Sequence, residues 1–398
     1  MKFPATAGKI AHMGVVVVGG GIAGMSVAAE LARDRDVLLV EGERELARHT
    51  TGRSAASYIP GHGAAPARAL VAASRDRFAA LAEEAGHPFL RPRAVLHIAQ
   101  DDDEERTLRE EILTLGTVDE LTVAEAVRRW PALRADRVRA AGVVEDAQDA
   151  DPLGLHEHYR RTLRARGGEI RTGAPVTALH PSATGWRVGI GDDTDIDTVD
   201  TDTVVLAAGA WTDRLLTLAG TAPIGLRPLR RTIAIARVPD GAPVRRDDPF
   251  AVSVGERWYA KPEGEYLLVS PSEETPAEPG DPRPEELDVA RALEAVNDVT
   301  TLGLRSVVTS WTGLRTFAPD RALVIGDRPA HPGLHLFAGQ GGSGIETAPA
   351  AAVLAVAVIT GADPPPDVVA ALEAHGAGLD DVLARRVPTP GRCPDRPR

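Results

Sequence analysis

Cysteine is almost absent from this 398-residue chain, and its scarcity excludes several kinds of site. The single thiol, Cys393, lies in a proline-rich tail. One cysteine cannot form an intramolecular disulfide, a zinc cluster or an iron–sulfur site, and no histidine pattern predicts a bound metal ion. The first thirteen residues lack the apolar core of a signal peptide, and Met13 is a possible start. These features favour a reducing, cytoplasmic location.

Long apolar runs and positive charge are also missing. The longest apolar helix expected, residues 348–359, is too short to cross a bilayer and should be buried. The formal net charge of −12 disfavours nucleic acid or anionic membranes as partners. Lysine is scarce too, and Lys261, the only one after residue 9, is expected to face solvent before its proline. The composition predicts a soluble protein long enough for two domains.

A glycine-rich turn near the start predicts a nucleotide site. Four valines, residues 15–18, lead into the sequence GGGIAG, a helical stretch and a second apolar strand that ends at Glu41. Gly19 permits a sharp turn, Gly21 allows the backbone to approach a pyrophosphate, and Gly24 allows the helix to pack on the strand. The helix N-terminus offers unpaired N–H groups to phosphate, and Glu41 is placed to bind an adenosine ribose.

A second glycine-rich turn lies near the other end of the chain. The apolar residues 334–337 lead into GQGGSG at 339–344 and then into an apolar helix. A nicotinamide dehydrogenase does not need this second junction, whereas a flavoprotein holds a long cofactor at both ends. The two turns together favour FAD over NAD.

The order of elements predicts an α/β protein with a discontinuous FAD-binding, Rossmann-like domain and an antiparallel-sheet substrate domain. Strand and helix alternate near the start, whereas short alternating strands dominate residues 226–312. We assign residues 1–88, 138–222 and 310–398 to the FAD-binding domain. Residues 89–137 and 223–309 then form the substrate domain. Helices are expected to begin after a capping box at Thr122 and after Asp151.

The chain resembles the FAD-dependent D-amino acid oxidase superfamily over nearly its whole length, and within it looks most like the D-arginine dehydrogenases. Besides the two glycine turns, the resemblance includes the segments TGRSAA at 51–56, AAGAW at 207–211, PLRR at 228–231, YAKP at 259–262 and WTGLR at 311–315. It implies non-covalent FAD. The cofactor-binding residues that it implies, together with the first turn, are Gly19, Gly21, Ile22, Ala23, Gly24, Glu41, Thr51, Gly52, Arg53, Ser54, Ala55, Ala56, Val176, Ala208, Gly209, Trp211, Gln340, Gly341, Gly342, Ser343, Gly344 and Ile345.

The resemblance also implies a small-molecule amino acid substrate. Arg231, Tyr259 and Arg315 match positions that hold its carboxylate, and His62, between two glycines, is a further candidate that gates the pocket or touches substrate. Arginine suits the task because its planar fork makes two charge-assisted hydrogen bonds to a carboxylate. The implied reaction moves a hydride from the substrate Cα to flavin N5, and the imino acid then hydrolyses to a 2-oxo acid and ammonia.

Departures from the D-arginine dehydrogenases concern the substrate side chain. Ser57 stands where those proteins have histidine, His62 where they have tyrosine, and Arg93 where they place an acid. Phe250 replaces a methionine, which makes the pocket tighter and more apolar. Like charge at Arg93 would repel a cationic substrate, so we expect a D-amino acid with a non-cationic side chain.

Other interpretations stay open. One is an oxidase of sarcosine or another N-substituted amino acid, another a nicotinamide dehydrogenase, and a third a flavoprotein that supports a partner or modifies a natural-product intermediate. The electron acceptor is expected to be O2 or a quinone, and the sequence does not distinguish them.

Overall fold

The computed structural model describes residues 11–192 and 195–387, so Cys393 lies outside the described residues. The strands are β1 (Ala11–Val18), β2 (Val37–Val40), β3 (Ser57–Tyr58), β4 (Leu90–Pro92), β5 (Val95–Ala99), β6 (Asp119–Leu121), β7 (Ala140–Val144), β8 (Gln148–Ala150), β9 (Glu169–Arg171), β10 (Val176–Ser182), β11 (Gly185–Asp192), β12 (Asp195–Leu206), β13 (Arg227–Arg237), β14 (Phe250–Ser253), β15 (Tyr259–Glu263), β16 (Tyr266–Ser270), β17 (Val307–Phe317), β18 (Val324–Arg328) and β19 (His331–Ala338).

The α-helices are α1 (Ile22–Leu31), α2 (Ala65–Ala85), α3 (Asp102–Thr107), α4 (Val123–Arg129), α5 (Pro152–Ala165), α6 (Thr212–Leu218), α7 (Glu286–Val299), α8 (Gly344–Thr360) and α9 (Pro366–Ala374). Two predicted helix starts are confirmed. The capping box of Thr122 and Glu125 begins α4, and the Asp151 side chain accepts the Gly154 N–H at the start of α5. No described helix is both long and apolar enough to traverse a bilayer.

The first large sheet has a parallel centre in which β9, β2, β1, β12 and β19 follow one another. Its valine-rich strands are buried on both faces, as parallel strands between covering layers must be. Alternate residues of β1 belong to two separate cores: Val15 and Val17 pack with α1, α2, α5 and α8, while Val16 and Val18 face the β10–β11 hairpin and α6. The expected Rossmann-like architecture is confirmed.

The second large sheet has the strand order β17-β13-β16-β15-β14-β5-β7-β6. All of its pairings are antiparallel except that between β14 and β5, so the expected antiparallel sheet contains one parallel pair. Helix α7 covers one face through Ala292, Val296 and Val299. The opposite face carries Tyr259 and its apolar neighbours and forms the wall of the candidate site. Strand β17 runs through residue 310, where one of our predicted domain limits lies, and it pairs with β13 on both sides of that residue. The domain limits stay a prediction.

Candidate functional site

The turn after β1 can be formed only by glycine at two of its positions. Gly19 has φ +115°, and a Cβ there would lie 2.5 Å from the Ala207 carbonyl oxygen. A Cβ on Gly24 would lie 1.9 Å from the Gly19 carbonyl oxygen, so α1 can pack against the turn only if residue 24 has no side chain. The Thr51 hydroxyl accepts the Ile22 N–H at 3.0 Å, and Gly21, at the N-cap of α1, has no side chain to cap the helix further. Gly21, Ile22 and Ala23 line the adjoining cavity. This is the geometry in which backbone N–H groups bind phosphate.

Glu41 follows β2 and fixes the turn from the other side. One carboxylate oxygen accepts the Gly20 N–H at 2.6 Å and the other accepts the Glu43 N–H at 2.8 Å. Each oxygen retains a lone pair, because a carboxylate offers about four acceptor sites. Glu41 also lines the cavity, so it is placed to accept hydroxyl groups from a ribose.

A cavity of about 550 Å³ joins the two glycine turns. Its wall contains most of the predicted cofactor residues, which come from both turns, the 47–54 loop, Val176 and the 207–211 segment: Gly19, Gly21, Ile22, Ala23, Glu41, Thr51, Ser54, Val176, Ala208, Gly209, Trp211, Gln340, Gly341, Gly342, Gly344 and Ile345. Its size, its glycine-rich wall and the α1 N-terminus in that wall suit a long dinucleotide. FAD therefore fits the residues present.

The other predicted cofactor residues are not among those that line the cavity. Gly52 would place a Cβ 2.4 Å from the Ala47 carbonyl oxygen, and Arg53 donates to the Thr312 carbonyl at 2.7 Å. Ser343 is buried and precedes α8, whose Thr347 hydroxyl donates to its carbonyl. Gly24, Ala55 and Ala56 complete this set. Their positions indicate that they shape the wall.

Arg231 and Arg315 lie on one face of the second sheet. Arg231 on β13 is opposite Gly313 on β17, and Arg315 is opposite Leu229. Because cross-strand partners share a face, the two arginines are diagonal neighbours. Gly342 of the second glycine turn packs against the Arg315 guanidinium, since a Cβ there would lie 3.2 Å from Nη1. The sheet register thus makes the two arginines neighbours, and Gly342 relates them to the cofactor cavity, which it lines.

Buried polar atoms around these arginines lack partners. The Arg231 Nε donates to the Glu273 carbonyl at 3.0 Å, and Nη2 stands 3.5 Å from a Glu274 oxygen. Within the described residues, neither that Nη2 nor the buried Tyr259 hydroxyl makes a hydrogen bond. The Arg231 Cζ lies 5.9 Å from the centre of the Tyr259 ring. Burial and the charge of Arg231 lower the pKa of Arg315. Unpartnered donors and repelling cations together make this a site for an anion.

His62 forms a pair with Glu346 that sequence reasoning missed. His62 Nδ1 lies 2.5 Å from one Glu346 oxygen, and the other oxygen accepts the Ile59 N–H at 3.0 Å. The pKa of His62 is raised chiefly by the Glu346 charge, against burial and the charge of Arg315. The acid in the first turn after the second glycine loop was the available signal, since the helix dipole favours a carboxylate there.

The expectation that Lys261 faces solvent is wrong. Its side chain is buried on the same sheet face as Tyr259, and Nζ donates to the Ala55 carbonyl at 2.6 Å and to Asp149 at 3.1 Å. Arg93 pairs with the other Asp149 oxygen and donates to the Asp248 carbonyl at 2.5 Å. Arg93 is thus engaged by protein partners. The apolar Phe250 packs edge-on against Tyr259 with ring centres 5.5 Å apart.

Comparison with known proteins places this geometry in context. A family model described as FAD dependent oxidoreductase matches residues 14–358. The glycine oxidase of Pseudomonas putida is 27% identical over 373 residues, which cover 88% of this chain and 95% of that protein.

Solved structures share the fold at lower identity. The glycine oxidase of Geobacillus kaustophilus superposes with a TM-score of 0.78 at 21% identity, over 89% of this chain and 96% of that one. The L-proline dehydrogenase of P. horikoshii gives the same TM-score of 0.78 at 20% identity, over 93% of this chain and 100% of that one.

Proposed function

Because the chain belongs to the family of FAD-dependent oxidoreductases, we propose that it oxidises an amino acid at the carbon that carries the amine. The observation that carries this proposal is the anion site formed by Arg231, Arg315 and Tyr259. It lies beside Gly342, which lines the cofactor cavity. The similar protein of Pseudomonas putida is a glycine oxidase, and glycine has the carboxylate and the amine that this site would bind.

In this proposal the two arginines bind the substrate carboxylate and the Tyr259 hydroxyl donates a further hydrogen bond. Arg231 Nη2, which stands 3.5 Å from Glu274, and the Tyr259 hydroxyl are buried and make no hydrogen bond within the described residues, so both can donate to the substrate. Holding the carboxylate at two points fixes the direction of the Cα–H bond. FAD, when bound, supplies the two-electron acceptor for that hydrogen. The oxidised substrate is an imine, and water hydrolyses it to a 2-oxo acid and ammonia, or to a 2-oxo acid and an amine where the substrate nitrogen is substituted.

The surroundings favour a substrate whose side chain carries no positive charge. Next to the carboxylate site lie buried apolar residues of the same sheet face, namely Val95, Ile233, Ile235, Phe250 and Leu268. The cations Arg231 and Arg321 share the acid Glu274, at 3.5 and 2.8 Å. A cationic side chain would meet like charge and lose its hydration. We therefore propose neutral or apolar D-amino acids as the first substrates to test.

A second candidate substrate is an N-substituted amino acid such as sarcosine. It uses the same carboxylate site and differs only at nitrogen. The fold neighbour named L-proline dehydrogenase supports it, because its substrate is a secondary amine. The two candidates differ in whether the substrate nitrogen carries a carbon substituent, and a panel of primary and secondary amino acids distinguishes them directly.

The test is an anaerobic titration of the purified, FAD-loaded protein followed by visible absorbance. The panel contains D-alanine, D-valine, D-arginine, glycine, sarcosine and the matching L-amino acids as controls. Bleaching by neutral D-amino acids is expected, whereas bleaching by sarcosine alone would favour the second candidate. If D-arginine bleached fastest, the argument from charge would be wrong. If none of the panel bleached the flavin, the amino acid proposal would fail. Admission of air then distinguishes oxygen from a quinone as acceptor by the speed at which colour returns.

A further inference from the structure

The Glu346–His62 pair is built as a carboxylate that orients an imidazole. Glu346 is 2% exposed and lies in the first turn of α8. Both of its oxygens are occupied, one by the Ile59 N–H and one by His62 Nδ1. The bond at Nδ1 fixes the neutral ring with its proton on that nitrogen, and Nε2 is then an acceptor. The same division of roles orients the histidine of a Ser-His-Asp triad.

His62 lies close to the carboxylate site: a Cβ on the next residue, Gly63, would lie 3.6 Å from Ser343 Oγ, and Gly342, which precedes Ser343, packs against the Arg315 guanidinium. The groups that act on its pKa come from separate elements: Glu346 on α8 and Glu256 in the turn after β14 raise it, and Arg315 on β17 lowers it. His97 on β5 in turn has its pKa lowered to about 4, by burial and by the charge of His62. His97 is therefore neutral at physiological pH. Part of the His62 side chain, 41% of its area, remains open.

The reaction needs a proton acceptor at this place. An amino acid reaches the enzyme mainly as an ammonium, and the nitrogen must lose a proton before its lone pair can form the C=N bond. A residue that accepts this proton is effective when its pKa lies near the working pH. Arg231, Arg315 and Lys261 carry positive charge and cannot accept one. Among the described neighbours of the carboxylate site, His62 has an oriented ring with an open nitrogen.

We propose that Glu346 positions His62 to take the proton from the substrate ammonium, an inference that rests on the proposed function. In this step one N–H bond of the substrate breaks and an Nε2–H bond forms. The positive charge moves from the substrate to the imidazole, where the buried Glu346 carboxylate balances it. His62 is the catalytic residue of this step, and Glu346 is its positioning residue.

The pH dependence follows with a definite sign. Below the pKa of His62 the ring is protonated and cannot accept, so the rate of substrate oxidation rises with pH through that pKa. Because Glu346 raises the pKa of His62 above its usual value, the inflection lies above pH 6.5. Removal of the Glu346 charge should move both the pKa of His62 and the inflection to lower pH.

The experiment compares the wild type with His62→Asn, Glu346→Gln and Glu346→Asp in the FAD-loaded protein. Glu346→Gln keeps the shape and can still accept the Ile59 N–H, while Glu346→Asp retains the charge should the first variant fail to fold. His180→Asn, on an exposed β10 position, is the matched control. NMR titration of histidine-labelled protein gives the pKa of His62, whose signal is the one missing in His62→Asn. Rapid mixing with the best substrate of the panel gives the rate of flavin reduction at each pH.

We expect His62→Asn to reduce flavin roughly 100-fold more slowly near pH 7 and to approach the wild type at high pH, where the substrate amine is already neutral. In Glu346→Gln the NMR pKa and the kinetic inflection should fall together. A fall in the NMR pKa without movement of the inflection would overturn the role of His62 as the base. An unchanged NMR pKa would overturn the role of Glu346. If no amino acid bleaches the flavin, the proposed function is refuted. The NMR titration, which needs no substrate, still tests whether Glu346 pairs with His62.

Discussion

Replacing Arg315 with methionine should separate substrate binding from stability. In the proposed site Arg315 supplies two charge-assisted hydrogen bonds to the carboxylate, each worth about 1.5–3 kcal/mol. Their loss amounts to about 3–6 kcal/mol, or a fall in kcat/KM of roughly 10²- to 10⁴-fold. The same change removes a guanidinium whose pKa is lowered by burial and by Arg231. The free protein should therefore be as stable as the wild type or more so, because a repulsion is relieved while the methionine keeps the apolar stem.

The assay pairs anaerobic flavin reduction with thermal unfolding of the FAD-loaded protein. Arg187→Met is the matched control, since Arg187 pairs with Asp200 at 2.8 Å on the surface and should leave kcat/KM unchanged. An Arg315→Met protein with normal kcat/KM would refute the carboxylate clamp. A protein that lost FAD or unfolded at a much lower temperature would show that Arg315 supports the cavity wall rather than the substrate.

Three further predictions concern the cofactor cavity and its support. Gly24→Ala should lose FAD, because its Cβ would stand 1.9 Å from the Gly19 carbonyl oxygen and force α1 away from the turn; the ratio of flavin to protein absorbance after purification measures this. Glu41→Gln should weaken FAD binding about 10-fold, since its hydrogen bonds lose their charge. Fluorescence titration of the apoprotein with FAD measures the dissociation constant, and an unchanged value would contradict this role of Glu41. Lys261→Met should lower the free energy of unfolding by about 1–3 kcal/mol, because it leaves the Ala55 carbonyl without its donor and Asp149 with one cation fewer; urea unfolding with unchanged midpoint would contradict that account.

Local sequence was sufficient for much of the fold. The valine run of β1 is apolar at every position, so it predicts a strand buried on both faces, and the structure places alternate valines in two cores. In the turn after it, the need for Gly24 is local, because the clash there involves an atom five residues away, whereas a Cβ on Gly19 would meet the distant Ala207 carbonyl oxygen. The capping box at Thr122 is equally local. By contrast, the parallel pairing of β14 with β5 joins strands distant in the chain, and no short pattern encodes it.

The sequence by itself determined the cofactor and the kinds of residue that could bind a carboxylate, because glycine turns and arginine motifs express their chemistry over a few residues. Tertiary structure alone decided which of those residues meet. Arg231 and Arg315 become neighbours through the register of β13 against β17. His62 meets Glu346 across 284 residues of chain. Lys261 also depends on distant partners. From its place before a proline it is expected at the surface, but it is buried, because Asp149 and the Ala55 carbonyl accept hydrogen bonds from its charged amine. Partners that neutralise or orient a charged group lie far away in sequence, so only folding reveals the state of that group.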